Sequence, residues 1–341
     1  MTSQAAQPYW EPAYALTVDG RDIAKAVDAR LISLTLAESR GEEADQLDIV
    51  IDDTDGRMAL PSKGAEITLH LGWEGGRMVD KGTYEVDEVE HSGTPDTISI
   101  RARSADMKRQ LRTRGEHSYH DTTIGDIVRT IAARNDLTPK VDEKLAKVKV
   151  AHIDQTHESD LHFASRLARQ YDAVCTVKKG RLAFIPIAGS KNAAGQTLAE
   201  GTLTRADGDQ HRYHTAERTA YSGVRAYWHD PNRAEKRSVL VGEETNEKRL
   251  KDTYGSEKDA LAAARAEMGR IARGKATMQL TLAHGQPELM PQTPLRLQGF
   301  KPQINATRWL VVKITHELGG QGFTSRLELE TNAATPDTDE P

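Results

Sequence analysis

From Ala13 to Arg103 apolar and polar residues alternate with a period of two, the mark of strands with one buried face. Ile32, Leu34 and Leu36 alternate with Ser33 and Thr35; Leu47, Ile49 and Ile51 with Asp48 and Val50; Ile67, Leu69 and Leu71 with Thr68 and His70; Ile98 and Ile100 follow. Asp55-Gly56, Pro61, Gly75-Gly76 and Gly93 punctuate them as turns. Several short strands at this spacing predict a barrel or a sandwich.

The period then changes. Asp121-Thr122-Thr123 caps a run in which Ile124, Ile127, Val128 and Ile131 share one helix face, and Thr123 with Asp126 resembles a capping box. A second helix is predicted near Glu158 to Tyr171, with Leu161, Ala164, Leu167, Ala168 and Tyr171 on one side. AVCTVKKGRLAFIPI then alternates on both sides of Lys179-Gly180, a β-hairpin signal. Beyond SKNAAGQ (190–196), a small polar linker, strand patterns return at 218–229 and 236–242. A helix interrupts from Ser256 to Arg273, and strands resume at 276–283, 294–298, 308–316 and 325–331.

The two strand-rich regions resemble each other. ITLHLGW, YEVDEVEH and TISIRA in the first face PLRLQGF, WLVVKITHEL and SRLELE in the second. Each has aliphatics closing on Gly plus an aromatic (Gly72-Trp73, Gly299-Phe300), then an aromatic-led strand with a His seven residues later (Tyr84 and His91, Trp309 and His316). This predicts two copies of one barrel. The fold expected is mainly β with an α+β insertion: two related β-barrel domains, 1–112 and 191–332, the second with one helix, flanking a smaller α/β domain at 113–190. An acidic tail at 333–341 is expected to be disordered.

Composition narrows the function. The chain has 341 residues and a formal net charge of -5, so no basic field favours nucleic acid. One cysteine, Cys175, excludes an intrachain disulfide and a Cys-based zinc cage. No stretch approaches the roughly 20 apolar residues that span a bilayer, and MTSQAAQPYWEP lacks the basic and apolar regions of a secretory signal. A soluble chain without membrane insertion is expected.

Candidate chemistry is sparse. His117 and His120, like His211 and His214, are three apart, but neither pair encloses the Glu of a helical zinc motif, and HSYH reads as a loop. Surface or packing roles are expected of the histidines, with no metal and no cofactor. GxSxG, GxGxxG and GxxxxGK[ST] are absent. The basic group Arg101, Arg103, Lys108, Arg109, Arg112 and Arg114 reads as a solvated face. Tyr221 and Tyr227, on one face of a predicted strand, and Trp228, on the other, are candidate contacts with a subunit or partner, as are Trp73 and Phe300. A core role competes for Tyr221, Tyr227 and Trp228.

HESDLHFASRLARQYDAVCTVKKGRLAFIP, LTRADGDQHRYHTAERTAYSGVRAYWHD and RWLVVKITHELGGQGFTSRLELE resemble the phage late control gene D proteins, the tail hubs of contractile phages, related to the hub part of type VI secretion spike proteins. The resemblance spans nearly the whole chain, though the N-terminal strands match only in pattern. It implies a non-enzymatic baseplate component of a virion tail or tail-like particle, assembled in the bacterial host cytoplasm. The implied form is a homotrimer whose six barrels meet the tail tube protein while its threefold axis accepts a trimeric spike protein, with tape-measure and baseplate proteins as further partners. The competing expectation is a tail-associated peptidoglycan hydrolase.

Overall fold

In the computed structural model, which describes residues 11–41, 43–105, 109–187, 189, 191–215, 221–231 and 233–333, the alternating N-terminal region forms a compact set of strands. These are β1 (Pro12–Val18), β2 (Arg21–Asp22), the short helix α1 (Ala24–Val27), β3 (Leu31–Ser39), β4 (Gln46–Asp52), β5 (Glu66–Trp73), β6 (Val79–Ser92) and β7 (Thr97–Ser104). Leu34, Leu36, Leu47, Ile49, Ile51, Ile67, Leu69, Leu71, Ile98 and Ile100 share one core with Leu16, Tyr84 and Val86, as the period predicts. Ile32 departs from it and is 45% exposed. The β3–β4 register shifts between Leu31 and Ser33, and such a bulge turns the intervening side chain off the inward face.

The next region contains α2 (Arg109–Arg112), β8 (Arg114–Thr123), α3 (Ile124–Arg134), β9 (Thr138–Val141), α4 (Glu143–Ala146), β10 (Lys149–Ser159), α5 (Asp160–Gln170), β11 (Ala173–Lys178) and β12 (Arg181–Pro186). Thr123 Oγ1 accepts from the Asp126 N–H at 3.1 Å and starts α3, and Ser159 Oγ accepts from the His162 N–H at 3.2 Å and starts α5. Their apolar faces bury Ile124, Ile127, Val128 and Ile131, and Leu161, Ala164, Leu167 and Ala168, against Phe184 and Leu182 of the hairpin. Lys179 and Gly180 both take left-handed backbone, which matches the twist of the two strands they join. His117-Ser118-Tyr119-His120 is not a loop: it lies in β8, paired antiparallel with β10. Both faces of β8 are largely exposed, so no apolar alternation marked it.

The C-terminal region has β13 (Gly201–Thr204), β14 (Gly208–Thr215), β15 (Gly223–Asp230), β16 (Glu235–Gly242), β17 (Glu247–Tyr254), α6 (Glu257–Arg273), β18 (Ala276–Leu282), β19 (Pro294–Gln298), α7 (Pro302–Ala306), β20 (Arg308–Gly319) and β21 (Gly322–Thr331). β15 and β16, which the sequence assigns to the second barrel, pair with β17 in a separate three-stranded sheet. α6 covers it, packing Ala260 and Ala264 on Val224 and Ala226. Alternation shows that a strand buries one face without revealing what covers it. The stretch at 191–196 is a turn rather than a plain linker: Asn192 Oδ1 accepts from the N–H groups of Ala194 and Gln196 at 2.9 and 3.0 Å. Except for Ala333, the acidic tail lies outside the described residues, as does Lys108.

The chain is mainly β, and its two strand-rich regions are laid out alike. The spatial orders β3-β4-β7-β6-β5-β1 and β14-β18-β21-β20-β19-β13 place corresponding strands in corresponding positions. The hairpin registers agree as well. Tyr84 faces Ile67 on one side and Ser104 on the other, as Trp309 faces Leu295 and Thr331. A register shift falls between Val86 and Glu88 in β6 and between Val311 and Lys313 in β20, so the same bulge recurs. One pairing differs: β1–β5 is antiparallel and β13–β19 parallel. Among the described residues no ladder joins β3 to β1 or β14 to β13, so neither strand set closes into a hydrogen-bonded barrel. Instead β20 pairs with β3, linking both sets into one 13-stranded sheet. No helix among the described residues is long and apolar enough to cross a membrane.

Candidate functional site

The β3·β20 seam, where the two strand sets meet, buries a carboxylate, an ammonium and an imidazole together. In β3 the parity of Leu34 and Leu36 continues to Glu38, so its carboxylate enters the interior and is 6% exposed. Lys81 of β6 meets it at 2.5 Å and also donates to the Pro287 carbonyl at 3.1 Å. His316 of β20, fully buried, brings Nε2 to 3.5 Å from the same carboxylate. Its Nδ1 lies 2.8 Å from Ser325 Oγ, which itself accepts from the Gln286 N–H. Because the Glu38 carboxylate facing Nε2 can only accept, a neutral imidazole carries its proton on Nε2 and takes the serine hydroxyl as donor at Nδ1.

The electrostatics follow from this packing. Burial alone would raise the Glu38 carboxyl, but Lys81, the His316 hydrogen bond and Lys178 bring it well below the usual carboxylate range. Burial and Lys81 lower His316, keeping it neutral against the opposing pull of Glu38 and Glu288. Asp45 is pushed up by burial and by Glu38, although Lys178 at 2.9 Å and the Ser39 N–H at 3.1 Å hold its charge. A cavity of about 290 Å³ opens beside these groups. Glu38, Asp45 and Asp80, its three carboxylates, are each held by a lysine, Asp80 by Lys179 at 2.7 Å. They serve as counter-ions to those lysines.

Two further anchors tie the parts together. Arg273, at the end of α6 and 1% exposed, forks onto Asp172 and reaches Glu330 at 3.3 Å. Arg40 binds the same Glu330 at 2.5 Å. Trp73 Nε1 donates to the Gly285 carbonyl at 2.9 Å, and its ring lies 5.3 Å from Phe323.

The five aromatic candidates do not converge. Trp73 bridges the two strand sets within the chain. Phe300 packs beside the second core, with the His211 ring edge-on at 5.2 Å. Tyr221 precedes β15, and Tyr227 and Trp228 lie in it, Trp228 against the α6 core and Tyr227 beneath the Lys236 ammonium at 4.5 Å. Glu38, Lys81, Asp45 and Arg273 were not singled out by the sequence. The usable signal was Glu38, a charge at an inward position of an alternating strand.

Apart from the buried His316 and the half-buried His70, the described histidines spread over separate exposed sites. His120 and His152 stack at 4.5 Å across β8 and β10, with Asp154 3.1 Å from His152. Among the described residues no group of three or more His, Cys, Asp or Glu is placed to hold a metal ion. Arg101 and Arg103 of the basic group pair with Asp48 and Glu88 and with Asp87.

Comparison with known proteins gives these features a family. A profile described as "Phage tail baseplate hub (GPD)" matches residues 46–322. A protein of Escherichia phage 186 described as a probable baseplate hub protein is 42% identical, covering 94% of this chain and 92% of its own. Among solved structures, a tail protein from Neisseria meningitidis MC58 superposes with a TM-score of 0.69 at 14% identity, covering 94% of this chain and 96% of its own. An Escherichia coli component of the type VI secretion system, described as structurally similar to T4 bacteriophage tail proteins, gives 0.58 at 16% identity, over 94% of this chain and 77% of its own. None of these descriptions names a hydrolase. With most of its length matched by the profile and a close relative of the same description, the chain belongs to the phage tail baseplate hub family.

Proposed function

We propose that this protein is the ring-forming hub of a contractile tail, a mechanical part with no catalytic step. Three copies form a closed ring, and each contributes two related barrel-like domains around its α/β insertion. Six such domains present a near-sixfold face to the tail tube protein, while the threefold axis accepts a trimeric spike protein. The ring is assembled in the host cytoplasm and ends in the virion baseplate. Family membership supports the hub role, and the repeated six-strand order supports the conversion from six to three. A head-to-tail interface that closes after three copies needs extended complementary surfaces and no pocket. The buried Glu38–Lys81–His316 group suits a part that carries load, because it fixes how the two strand sets sit against each other.

Light scattering on the purified protein, with pull-down by tube and spike proteins of the same tail, tests the reading. A threefold mass and retention of both partners are expected. A strictly monomeric chain that binds neither partner would overturn it. Lysis of purified cell wall that is lost on changing one Glu or His would favour the hydrolase instead.

A further inference from the structure

The internal repeat specifies more than a copy number, because it contains one solved example of how two units join. In that join, β3 of the first strand set pairs antiparallel with the distal half of β20, from Lys313↔Ser39 to Gly319↔Ser33. The strand corresponding to β3 in the second set is β14, and the strand corresponding to β20 in the first set is β6. Both have an edge left open. β14 ends the sheet path and, among the described residues, pairs only with β18. β5 covers β6 only through Glu85 and the backbone bonds of Val86, so from Asp87 to Ser92 the edge away from β7 has no ladder among the described residues.

We infer that β14 of one copy pairs antiparallel with residues 87–92 of β6 in the next copy, repeating between chains the β3·β20 join made within each chain. This rests on the ring reading above and names the surface that would close the ring. The register follows from the repeat. β4 aligns Leu36 opposite Leu47 as β18 aligns Tyr213 opposite Met278, and β7 and β21 align His91 with His316. Because Leu36 faces His316, Tyr213 faces His91 of the neighbour. Thr215 then lies opposite Val89, His214 opposite Glu90 and Arg212 opposite Ser92.

Two observations independent of topology agree. Exposed edge strands invite pairing unless something blocks them; beyond their bulges at Gly208–Gln210 and Val86–Glu88, β14 to Thr215 and β6 to Ser92 are solvent-facing, with only Tyr213 and Val89 half-buried. At this register the charges left unpaired complement each other: Glu90 faces His214 and lies diagonal to Arg212, whereas Asp87 and Glu88 are held by Arg103 and Arg101 of the same chain. The side chains of Arg212, His214 and Glu90 make no hydrogen bond or ion pair among the described residues. Opposite charges across paired strands fix register and raise the rate of encounter.

Paired cysteines provide the test, since directly opposed antiparallel residues lie within disulfide reach, and the native Cys175 is buried. The full chain carrying His214→Cys and Glu90→Cys is oxidised and run without reductant, beside each single variant and a displaced pair, His214→Cys with Glu66→Cys. Thr215→Cys with Val89→Cys is run in parallel, because neighbouring positions alternate between wide and narrow cross-strand spacing. Chains linked in threes, from the predicted pairs only, are expected. Separately, Glu90→Arg should weaken association at least tenfold by sedimentation, and adding His214→Glu should restore most of it. A trimer that forms normally in the Glu90→Arg variant and never cross-links through either predicted pair would overturn the edge pairing while leaving the ring standing. A wild-type chain that stays monomeric across a concentration series would overturn both.

Discussion

The two strand sets share strand order, hairpin register and bulge, yet His91 and His316, which occupy the same place in each, live in opposite environments. The His91 side chain is 44% exposed and 3.5 Å from Asp53, whereas the His316 side chain is fully buried between Ser325 and Glu38. Nothing in the local strand accounts for the difference. The edge does: β3 pairs with β20 at His316, whereas among the described residues no strand pairs with the edge of β6 away from β7 at His91. Burial at this position is therefore a property of what pairs with the strand. The repeated architecture has been specialised on one side as a permanent internal joint and left on the other as a docking edge.

The largest effect is expected from breaking the internal joint. Glu38→Gln leaves the Lys81 ammonium buried with its principal counter-ion removed, and such a loss costs about 3–5 kcal/mol. Scanning calorimetry should show a clear fall in midpoint. Glu38→Leu with Lys81→Met, which removes both charges, should recover most of it. If the double variant were no better than the single, the cost would come from lost shape rather than from the stranded charge.

A pH titration of the joint comes next. His316 is lowered from its ordinary 6.5 by burial and Lys81. The unfolded chain thus takes up a proton below that pH while the folded chain resists, so stability falls as pH drops below 6.5. Glu38, held low, adds a second loss below its ordinary 4.5. Asp45, raised above its ordinary 3.8, opposes that loss because the folded state protonates it more readily. Midpoints across this range should flatten between 6.5 and 4.5 in His316→Gln relative to the wild type. A wild-type slope in His316→Gln would mean that burial of His316 does not set the pH dependence in this range.

Much of the fold was legible because its rules are local. Thr123 and Ser159 as caps, the Lys179-Gly180 turn and the buried parity of Leu47, Ile49 and Ile51 need only near neighbours in sequence. The repeat was visible as well, since Tyr84 and Trp309 lead strands of the same pattern. Pairing across long separations was not. β15 and β16 alternate like barrel strands but pair with β17 under α6, and β14 lacks a buried aliphatic row because one edge is open. Trp73 stands in the sequence as a candidate contact with a subunit or partner, and its bond within the chain to Gly285, more than two hundred residues away, has no local signal. The charged seam escaped for the same reason: Glu38, Lys81 and His316 come from three strands, and no spacing in the chain announces their meeting.

Trp73 sharpens the comparison at a smaller scale. Its indole N–H donates across the seam to a carbonyl of the other strand set, while its ring contacts Phe323. Trp73→Phe keeps much of the ring contact and strands the Gly285 carbonyl, which should cost about 1–3 kcal/mol. The measurement is a denaturation midpoint for the isolated chain.

The smallest effect belongs to the open edge, and its smallness is the informative part. Glu90→Gln removes a charge from a side chain that is solvent-facing and makes no ion pair among the described residues, so the folding midpoint should move by no more than about 0.5 kcal/mol. The same substitution removes the carboxylate expected opposite His214 of a neighbouring copy. Association should therefore weaken and lose part of its dependence on salt, because screening acts on that charge. Glu38→Gln makes the matched control: the same chemical change, within the equivalent β3·β20 seam, expressed in folding rather than in assembly. If Glu90→Gln were to shift the folding midpoint as far as Glu38→Gln does, the β6 edge would already be buried within the single chain, and the distinction between joint and docking edge would collapse.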